Sequence, residues 1–296
     1  MDGISRSAAE DLNGRDISQA FDRVVVVNLA RRRDRLERFW QTLGAWPFKT
    51  PRRFEAIDGQ AVGTPAGWDK GPGAWGCLLS HRAVLDSAIN DGVRALLVLE
   101  DDAYPVENFS SLARAFIGKV PDDWDGLMLG AEHLRAPEPI CPGVVRCVAS
   151  NRSHAYAVRG RLMGVLSQFW SNTTNDHCDL VISSLMRHFK MFAPDPLLIG
   201  QDAGHSDVTG RKEWLRFLAP EQKEKIGRSD PRHSIQRLVV TISRKALPPQ
   251  RKALPPQAKR AAASIVRPPL ERPGGTANYP RYPDRRAESA ECKSAP

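Results

Sequence analysis

The sequence lacks any run of about 18 consecutive apolar residues, the length with which a helix crosses a bilayer. It also lacks an apolar segment within residues 1–20, where a secretory signal would carry one. Hydrophobic residues make up 41% and charged residues 26% of the 296 residues, values that are ordinary for a globular protein. These features favour a cytoplasmic protein in which residues 1–20 form a polar extension.

Cysteine pairs of the CxxC type are also absent, although the sequence contains five cysteines. Their scatter favours reduced thiols and argues against a zinc ribbon. His177 and Cys178 stand between two aspartates, but adjacent residues on one turn rarely converge on a zinc ion. We therefore expect that these four adjacent residues do not form a zinc site among themselves.

The net charge of +9 is concentrated in residues 244–296, which carry 12 Lys or Arg against 4 Asp or Glu. This tail also holds 10 of the 23 prolines and contains RKALPPQ twice in tandem. Such a composition buries too little apolar surface to offset its ordering entropy, so we predict disorder over 229–296. A solvated tail without a role and a tether to an anionic membrane surface both stay open. Nucleic-acid binding is disfavoured because only Tyr279 and Tyr282 offer rings for stacking.

Strand and helix patterns alternate ahead of this tail. Val24 to Leu29 is a continuous apolar run of the kind found in central parallel strands, apart from Asn28. The segment after it places apolar residues at helical spacing and predicts a helix that ends near Gly44. The apolar positions of this helix are Leu36, Phe39, Trp40 and Leu43.

A second helix is predicted from His81 to about Asn90 with Ser80 as its N-cap, followed by a strand over 95–99. Strand, helix, helix and strand in this order predict a mostly parallel sheet with helices on both faces. Further predicted elements are a strand at 127–129, a hairpin over 144–158, and helices after Arg159 and Cys178. Together they predict one α/β domain over residues 21–228.

The predicted strand over 95–99 runs directly into three acids, Glu100, Asp101 and Asp102. Ligands of open α/β sheets bind beyond the carboxyl ends of the strands, where these acids would lie. Adjacent carboxylates repel one another unless solvent or a cation neutralises them, and hard ions such as Mn²⁺ or Mg²⁺ prefer these oxygens. Acidic turns after strands are also common, so the three residues by themselves favour an ordinary solvated loop.

Four segments around these acids occur in a specific order. They are VVNLARRRDR at 26–35, FEAIDG at 54–59, GCLLSH at 76–81 and LEDD at 99–102. This succession resembles glycosyltransferase family 25, the lipooligosaccharide galactosyltransferase group that also includes collagen galactosyltransferases. A weaker similarity to the family continues at HAYAV, residues 154–158, and within residues 200–208.

The resemblance implies a GT-A type, Rossmann-like fold, a UDP-sugar donor with galactose favoured, and a divalent metal, Mn²⁺ or Mg²⁺. Glu100 and Asp102, the outer pair of the acidic motif, would face the metal and the diphosphate. Asp101 would point away or act toward the sugar. His205 and Asp202 are candidates to complete the metal shell, with an ordinary polar loop as the alternative.

Other residues of the motifs are candidates for substrate contact. Asn28, Arg31 and Arg35 are expected to bracket the ribose or phosphate of the nucleotide, because arginine presents a planar fork of donors. Asp58 is a candidate for contact with the base or ribose, although Asp-Gly is also an ordinary turn. Ser80 and His81 are candidates on the substrate side, against the simpler interpretation of a helix cap beside a hydrogen-bonded polar residue.

An inverting transfer needs a carboxylate base that activates the acceptor hydroxyl. Asp176 and Asp179 precede a predicted helix where the family often has an acid, and Asp176 is favoured as the base. Helix N-capping suits either aspartate as an alternative. The sequence also departs from the family, which commonly has a glutamate at the position of Ala74. This departure puts the sugar specificity and the activity in doubt.

The combined prediction is a metal-dependent hexosyltransferase. It would transfer a hexose from a UDP-sugar to a saccharide acceptor of lipopolysaccharide, lipooligosaccharide or a related surface glycan. Its basic tail would hold it peripherally at the inner face of the membrane. The alternative is a non-catalytic relative that binds a nucleotide sugar or glycan without turnover. The acidic motif speaks against that alternative, and Ala74 speaks for it.

Overall fold

The structure is a computed structural model that describes residues 16–202, 204–208, 212–213 and 265–266. A short 3₁₀ helix, Ile17–Gln19, precedes the first strand. The helices are α1 (Arg33–Thr42), α2 (Gly59–Val62), α3 (Gly71–Asn90), α4 (Phe109–Ile117), α5 (Arg161–Asn172) and α6 (Cys178–Leu185). The strands are β1 (Arg23–Asn28), β2 (Arg52–Glu55), β3 (Ala95–Glu100), β4 (Ala103–Pro105), β5 (Gly126–His133), β6 (Glu138–Cys141), β7 (Val144–Arg146), β8 (Ser150–Arg159), β9 (Met191–Pro194), β10 (Ile199–Gln201), β11 (Gly204–His205), β12 (Lys212–Glu213) and β13 (Ile265–Val266).

Nine of these strands form one sheet in the order β13-β2-β1-β3-β8-β5-β9-β7-β6. Strand β1 pairs parallel with β2 and β3, and β5 pairs parallel with β9. Strand β8 lies antiparallel between β3 and β5, which leaves β2, β1, β3, β5 and β9 pointing in one direction. The antiparallel pairs β4–β10 and β11–β12 form two small separate sheets.

Helices cover both faces of the large sheet. Val25 and Val27 of β1 pack into a core formed with α3, α5 and α6. Val24 and Val26 pack into a second core formed with α1 and α4. A strand buried on both faces reads as a continuous apolar run, which is the pattern that β1 shows in the sequence. The predicted α/β architecture with helices on both faces is therefore confirmed, and so is the first predicted helix, which appears as α1.

The predicted hairpin over 144–158 is wrong. Strand β7 pairs with β6 and β9, while β8 pairs with β3 and β5. The reason lies in the burial of β8, in which every residue from Ser153 to Val158 is buried. Such a strand belongs in the middle of a sheet and not in a two-stranded ribbon.

The predicted start of the second helix is also wrong, because α3 begins at Gly71 and continues through Ser80. Pro72 lies in the first turn of the helix, where its missing N–H costs nothing. Ser80 therefore does not cap the helix. Its hydroxyl donates to the carbonyl oxygen of Gly76 at 2.7 Å and accepts from the N–H of Ile57 at 2.8 Å.

The predicted domain boundary near residue 228 lies outside the described residues, as does the basic tail except for β13. The backbone of β13 pairs antiparallel with β2, at Ile265 opposite Phe54 and Val266 opposite Arg53. Within the described part of the chain, no helix combines the length and the apolar character needed to cross a bilayer.

Candidate active site

A cavity of about 460 Å³ opens beyond the carboxyl ends of β1, β2 and β3. These three strands are parallel, so their carboxyl ends meet at one edge of the sheet. The volume of the cavity is typical of sites that bind small molecules. The predicted site residues that line it are Arg31, Arg35, Asp58, Ser80, His81, Glu100, Asp101 and Asp102.

Two glycines allow α3 to approach the turn that carries Asp58. A Cβ atom on Gly76 would lie 2.5 Å from the nitrogen of Gly59 and 2.5 Å from the oxygen of Ile57. A Cβ atom on Gly59 would lie 1.7 Å from the oxygen of Pro72. Only glycine fits where two backbones approach so closely. The glycines of the FEAIDG and GCLLSH segments therefore bring Asp58 to the same cavity as the residues of α3.

Glu100, the last residue of β3, is held by groups from two other elements. Its Oε1 accepts a hydrogen bond from the hydroxyl of Ser153 at 2.8 Å and lies 3.3 Å from Nε2 of His81. Burial tends to raise the pKa of Glu100, but the adjacent His81 outweighs burial and lowers this pKa to about 2. Burial likewise opposes the charged form of His81, yet Glu100 raises the pKa of that imidazole. The two groups form an ion pair that lines the cavity, with the imidazole buried and the carboxylate partly buried.

Asp101 and Asp102 share one arginine. Nη2 of Arg35 lies 3.0 Å from Oδ1 of Asp101 and also contacts Oδ2 of Asp102. Burial nevertheless raises the pKa of Asp101 to about 7, although Arg35 acts in the opposite direction. Burial also raises the pKa of Asp102, again against the effect of Arg35. The charge of Arg35 is therefore too small to offset the desolvation of both ionised carboxylates.

The acidic group fits a hard divalent cation. Oδ1 of Asp102 is buried and has no hydrogen-bond partner among the described residues, while its Oδ2 accepts from Nε2 of Gln201 at 3.2 Å. Glu100, Asp101 and Asp102 all face the same cavity. Carboxylate oxygens with an unmet need for positive charge are the donor set that Mn²⁺ and Mg²⁺ prefer.

Asn28 contacts the acidic group through Asp101 and does not line the cavity. Its Nδ2 donates to Oδ2 of Asp101 at 2.7 Å and to the carbonyl oxygen of Arg32 at 2.9 Å. Its Oδ1 accepts from Nε of Arg53 at 3.0 Å. The side chain is 1% exposed, so the structure places it where it orients Asp101. The predicted contact of Asn28 with a nucleotide is not what this geometry favours.

Asp207 forms ion pairs with the arginines at the start of α1, a role that the sequence did not reveal. Its Oδ1 accepts from Arg31 at 2.8 Å, and its Oδ2 accepts from Arg32 and lies 3.6 Å from Arg35. Burial alone would raise the pKa of Asp207, but the arginines, Arg32 first, lower it. Arg31 also pairs with Asp58. The only available sequence signal was the similarity of Ser206 to Val208 to the family.

The two candidate bases occupy different positions. Asp176 accepts from the hydroxyl of Thr173 at 3.1 Å and does not line the cavity. Asp179 lines the cavity, and its carboxylate accepts from the N–H of Arg152 at 3.1 Å and the N–H of Leu180 at 2.8 Å. The N-cap of α6 is His177, so the capping alternative is wrong for both aspartates.

The two candidates to complete a metal shell also differ. Asp202 lines the cavity, where its carboxylate pairs with Arg38 at 2.8 Å. The backbone of His205 pairs with Lys212, but its side chain lies outside what the structure describes. The role of His205 as a metal ligand stays a prediction.

Arg152 is a further residue of the site that sequence analysis missed. It has a φ of 72°, in the left-handed region that non-glycine residues rarely adopt. Its side chain reaches Glu132 at 3.1 Å and Gln201 at 2.7 Å, while its N–H holds Asp179. Backbone strain of this kind persists where surrounding contacts fix it, often at functional sites.

Residues 21–131 match the family model described as "Glycosyltransferase family 25 (LPS biosynthesis protein)". The resemblance found in the sequence motifs is thus confirmed over the region that supplies β1, α3 and the acidic group. The match ends before β8 and α6, which supply Arg152, Ser153 and Asp179.

Two curated relatives and one solved structure illustrate the similarity. Procollagen galactosyltransferase 2 of Mus musculus is 29% identical over 240 residues, which cover 66% of this chain and 38% of the relative. Inactive glycosyltransferase 25 family member 3 of Homo sapiens is 30% identical over 164 residues, which cover 47% of this chain and 27% of the relative. The crystal structure of A197 from STIV aligns with a TM-score of 0.32 at 12% identity, over 71% of this chain and 100% of that chain. The matched region spans well under half the length of these two relatives.

Proposed function

We propose that this chain, whose residues 21–131 match glycosyltransferase family 25, is a metal-dependent glycosyltransferase that transfers a hexose, galactose favoured, from a UDP-sugar to a saccharide acceptor. One observation carries the proposal: three carboxylates, buried at Asp101 and partly buried at Glu100 and Asp102, face a single cavity at the carboxyl edge of the sheet together with several arginines. Carboxylates recruit a divalent cation, and arginines recruit phosphate, so the pair of features matches a nucleotide diphosphate with its metal.

Glu100 and Asp102 would hold Mn²⁺ or Mg²⁺, with Asp101 beside them. The ion, when bound, would neutralise the diphosphate as it leaves the sugar. Arg35 contacts Asp101 and Asp102, and Arg31 also lines the cavity. Both arginines would orient the phosphates through paired N–H groups. Asn28 holds Asp101 in place, and His81 together with Ser153 holds Glu100. Asp58, which pairs with Arg31, is left for the ribose or base.

The acceptor hydroxyl needs a base, and we assign this role to Asp179 in preference to Asp176. Asp179 lines the cavity, whereas Asp176 is bound within its own turn to Thr173. Two backbone N–H groups, those of Arg152 and Leu180, orient the Asp179 carboxylate. A base that is fixed in this way takes the proton at the moment when the hydroxyl oxygen attacks the sugar.

Calorimetric titration of UDP, with and without Mn²⁺, tests the proposal directly. The wild type is expected to bind UDP strongly only with Mn²⁺, and Asp102→Asn is expected to lose that dependence. Asp123→Asn is the matched control, because Asp123 is an exposed carboxylate that pairs with Lys190 outside the cavity. A screen of UDP-sugars for UDP release then identifies the donor. Failure of the wild type to bind UDP with any divalent metal would refute the proposed function.

A non-catalytic relative that binds a nucleotide sugar is the second candidate. The observation in its favour is Ala74, which lines the cavity at the position where the family commonly has a glutamate. UDP binding without release of UDP from any sugar donor, in the presence of saccharide acceptors, would support this candidate. Ala74→Glu is then expected to restore turnover if the missing acid is the cause.

We also propose that the acceptor belongs to lipopolysaccharide or a related surface glycan. The basic tail would hold the protein at the inner face of the membrane. The tether is tested by sedimentation with vesicles that contain anionic lipid. Because β13 pairs with β2, charge replacement is preferable to deletion of the tail. Vesicle binding is expected to fall when Gln replaces the residues Arg244, Lys245, Arg251, Lys252, Lys259 and Arg260. Unchanged binding of this variant to the vesicles would refute the proposed tether.

A further inference from the structure

Two cysteines and a histidine meet beside the acidic group. Sγ of Cys77 lies 3.5 Å from Sγ of Cys178, and a ring nitrogen of His81 completes a set of three atoms that all lie within 4.8 Å of one another. Cys77 and His81 are four residues apart on α3, which puts both on one face of that helix. Cys178, the first residue of α6, supplies the third ligand atom. The cluster joins residues that are far apart in the sequence.

The orientation of His81 leaves one ring nitrogen for a ligand. Nδ1 of His81 lies 3.0 Å from the hydroxyl of Tyr156, with which it shares a hydrogen bond. Nε2 is buried and makes no directed hydrogen bond among the described residues, and its charged neighbour is Oε1 of Glu100 at 3.3 Å. To bind a metal, Nε2 gives up the proton that it holds in this ion pair. A metal-binding histidine typically fixes its second nitrogen through such a hydrogen bond. The Tyr156 hydroxyl supplies that support here.

We propose that Cys77, Cys178 and Nε2 of His81 form a binding site for a soft divalent ion, Zn²⁺ in the first place. Two thiolates that bind a tetrahedral ion at about 2.3 Å lie about 3.8 Å apart. The observed separation of 3.5 Å is already close to that value. Thiolate and imidazole ligands select zinc over magnesium or manganese, so this site differs in chemistry from the neighbouring carboxylates.

The three ligands leave a fourth position on the cavity side, because all three residues line the cavity. A carboxylate oxygen of Glu100, which lies 3.3 Å from Nε2 of His81, offers the fourth ligand, and water is the other candidate. Binding converts the two thiols to thiolates and the His81 imidazolium to neutral imidazole with Nε2 unprotonated, and it releases these three protons to solvent. An ion that takes Glu100 in this way would withdraw it from the acidic group, so Zn²⁺ would act as an inhibitor of the proposed transfer.

Absorption spectroscopy with Co²⁺ as a probe tests the site without nucleotide or sugar. Reduced wild-type protein is expected to bind one equivalent of Co²⁺ with thiolate charge-transfer absorption in the near ultraviolet and the intense visible bands of a tetrahedral ion. Zn²⁺ is expected to displace the probe. Cys77→Ser and Cys178→Ser are each expected to lose the charge-transfer absorption, with circular dichroism as the check that they fold.

Two control variants separate the possible outcomes. Cys141→Ser removes another partly exposed thiol, outside the cavity, and is expected to keep the absorption. Asp102→Asn removes a carboxylate proposed to bind the hard metal and is also expected to keep it, so failure of the nucleotide proposal does not decide this test. Absence of thiolate absorption in the wild type would overturn the inference, as would its persistence in both Cys77→Ser and Cys178→Ser.

Discussion

Nη2 of Arg35 lies 3.0 Å from Oδ1 of Asp101, and the same nitrogen contacts Asp102. One guanidinium thus occupies the neighbourhood in which a divalent cation would sit. Burial would disfavour its charge, but Asp102 and Asp101 outweigh burial and raise the pKa of Arg35. The arginine therefore stays charged and competes with any cation for these carboxylates.

Replacement of Arg35 is expected to change metal and nucleotide affinity in opposite directions. Arg35→Gln removes the competing charge, so Mn²⁺ should bind about tenfold more tightly, equivalent to about 1.4 kcal/mol. UDP should bind more weakly because a phosphate partner is lost. Calorimetry on each ligand separately measures both effects. Arg33→Gln, an exposed neighbour on α1 that does not line the cavity, should change neither.

A methyl group at Gly76 is expected to destabilise the protein. Its Cβ would lie 2.5 Å from backbone atoms of Gly59 and Ile57, so Gly76→Ala must push α3 away from the turn that carries Asp58. Overpacking of this kind costs about 1–3 kcal/mol in the free energy of unfolding. Gly164→Ala is the control, since a Cβ there meets no atom within 4 Å and Ala in α5 should stabilise by about 0.5–1 kcal/mol. Urea denaturation of both variants checks the contrast, and equal effects would contradict it.

The raised pKa of Asp101 predicts a pH dependence of stability. In the folded protein the Asp101 carboxyl keeps its proton up to a pKa of about 7, whereas in the unfolded chain an aspartate titrates near ~3.9. Between these values the folded state binds the extra proton, so the Asp101 contribution to the free energy of unfolding falls as pH rises. Asp101→Asn has no proton to lose. Its stability relative to wild type should therefore grow from about pH 5 to about pH 8 in urea titrations without divalent metal. A difference that is constant with pH would count against the raised pKa.

Two substitutions of Arg152 separate backbone strain from side-chain contacts. Arg152→Ala and Arg152→Gly both lose the hydrogen bonds to Glu132 and Gln201. Only glycine adopts a φ of 72° without strain, so the Gly variant should be more stable than the Ala variant. The expected difference in the free energy of unfolding is about 1 kcal/mol. A more stable Ala variant would show that the left-handed conformation is not under strain.

Features that depend on neighbouring residues could be predicted from the sequence. The apolar runs of β1 and β3 and the acids that follow β3 are local patterns, and they place the cavity correctly at the sheet edge. The prediction of Ser80 as an N-cap is wrong because a serine that caps a helix and one that donates to a carbonyl four residues earlier look alike in sequence. The Gly-Pro-Gly start of α3 resembles turn chemistry, which concealed the first turns of that helix.

Contacts between distant segments could not be predicted in this way. Cys178 meets Cys77 across 101 residues, and Asp207 meets Arg31 across 176 residues. Neither contact follows from spacing, because each depends on how α6 and residues 204–208 fold back over α3 and α1. The same holds for Arg152, whose importance rests on a backbone conformation that its sequence neighbours do not indicate.

The antiparallel insertion of β8 between β3 and β5 has a consequence for the assembly of the chain during synthesis. Residues 21–131 end before β8, so a fragment with those limits lacks the strand that joins its two halves. The centre of the sheet closes only after residue 159 has left the ribosome, and until then β3 and β5 expose unpaired edges. The region that matches the family model is thus not a folding unit by itself, and fragments for biophysical study should extend beyond β8 and α6.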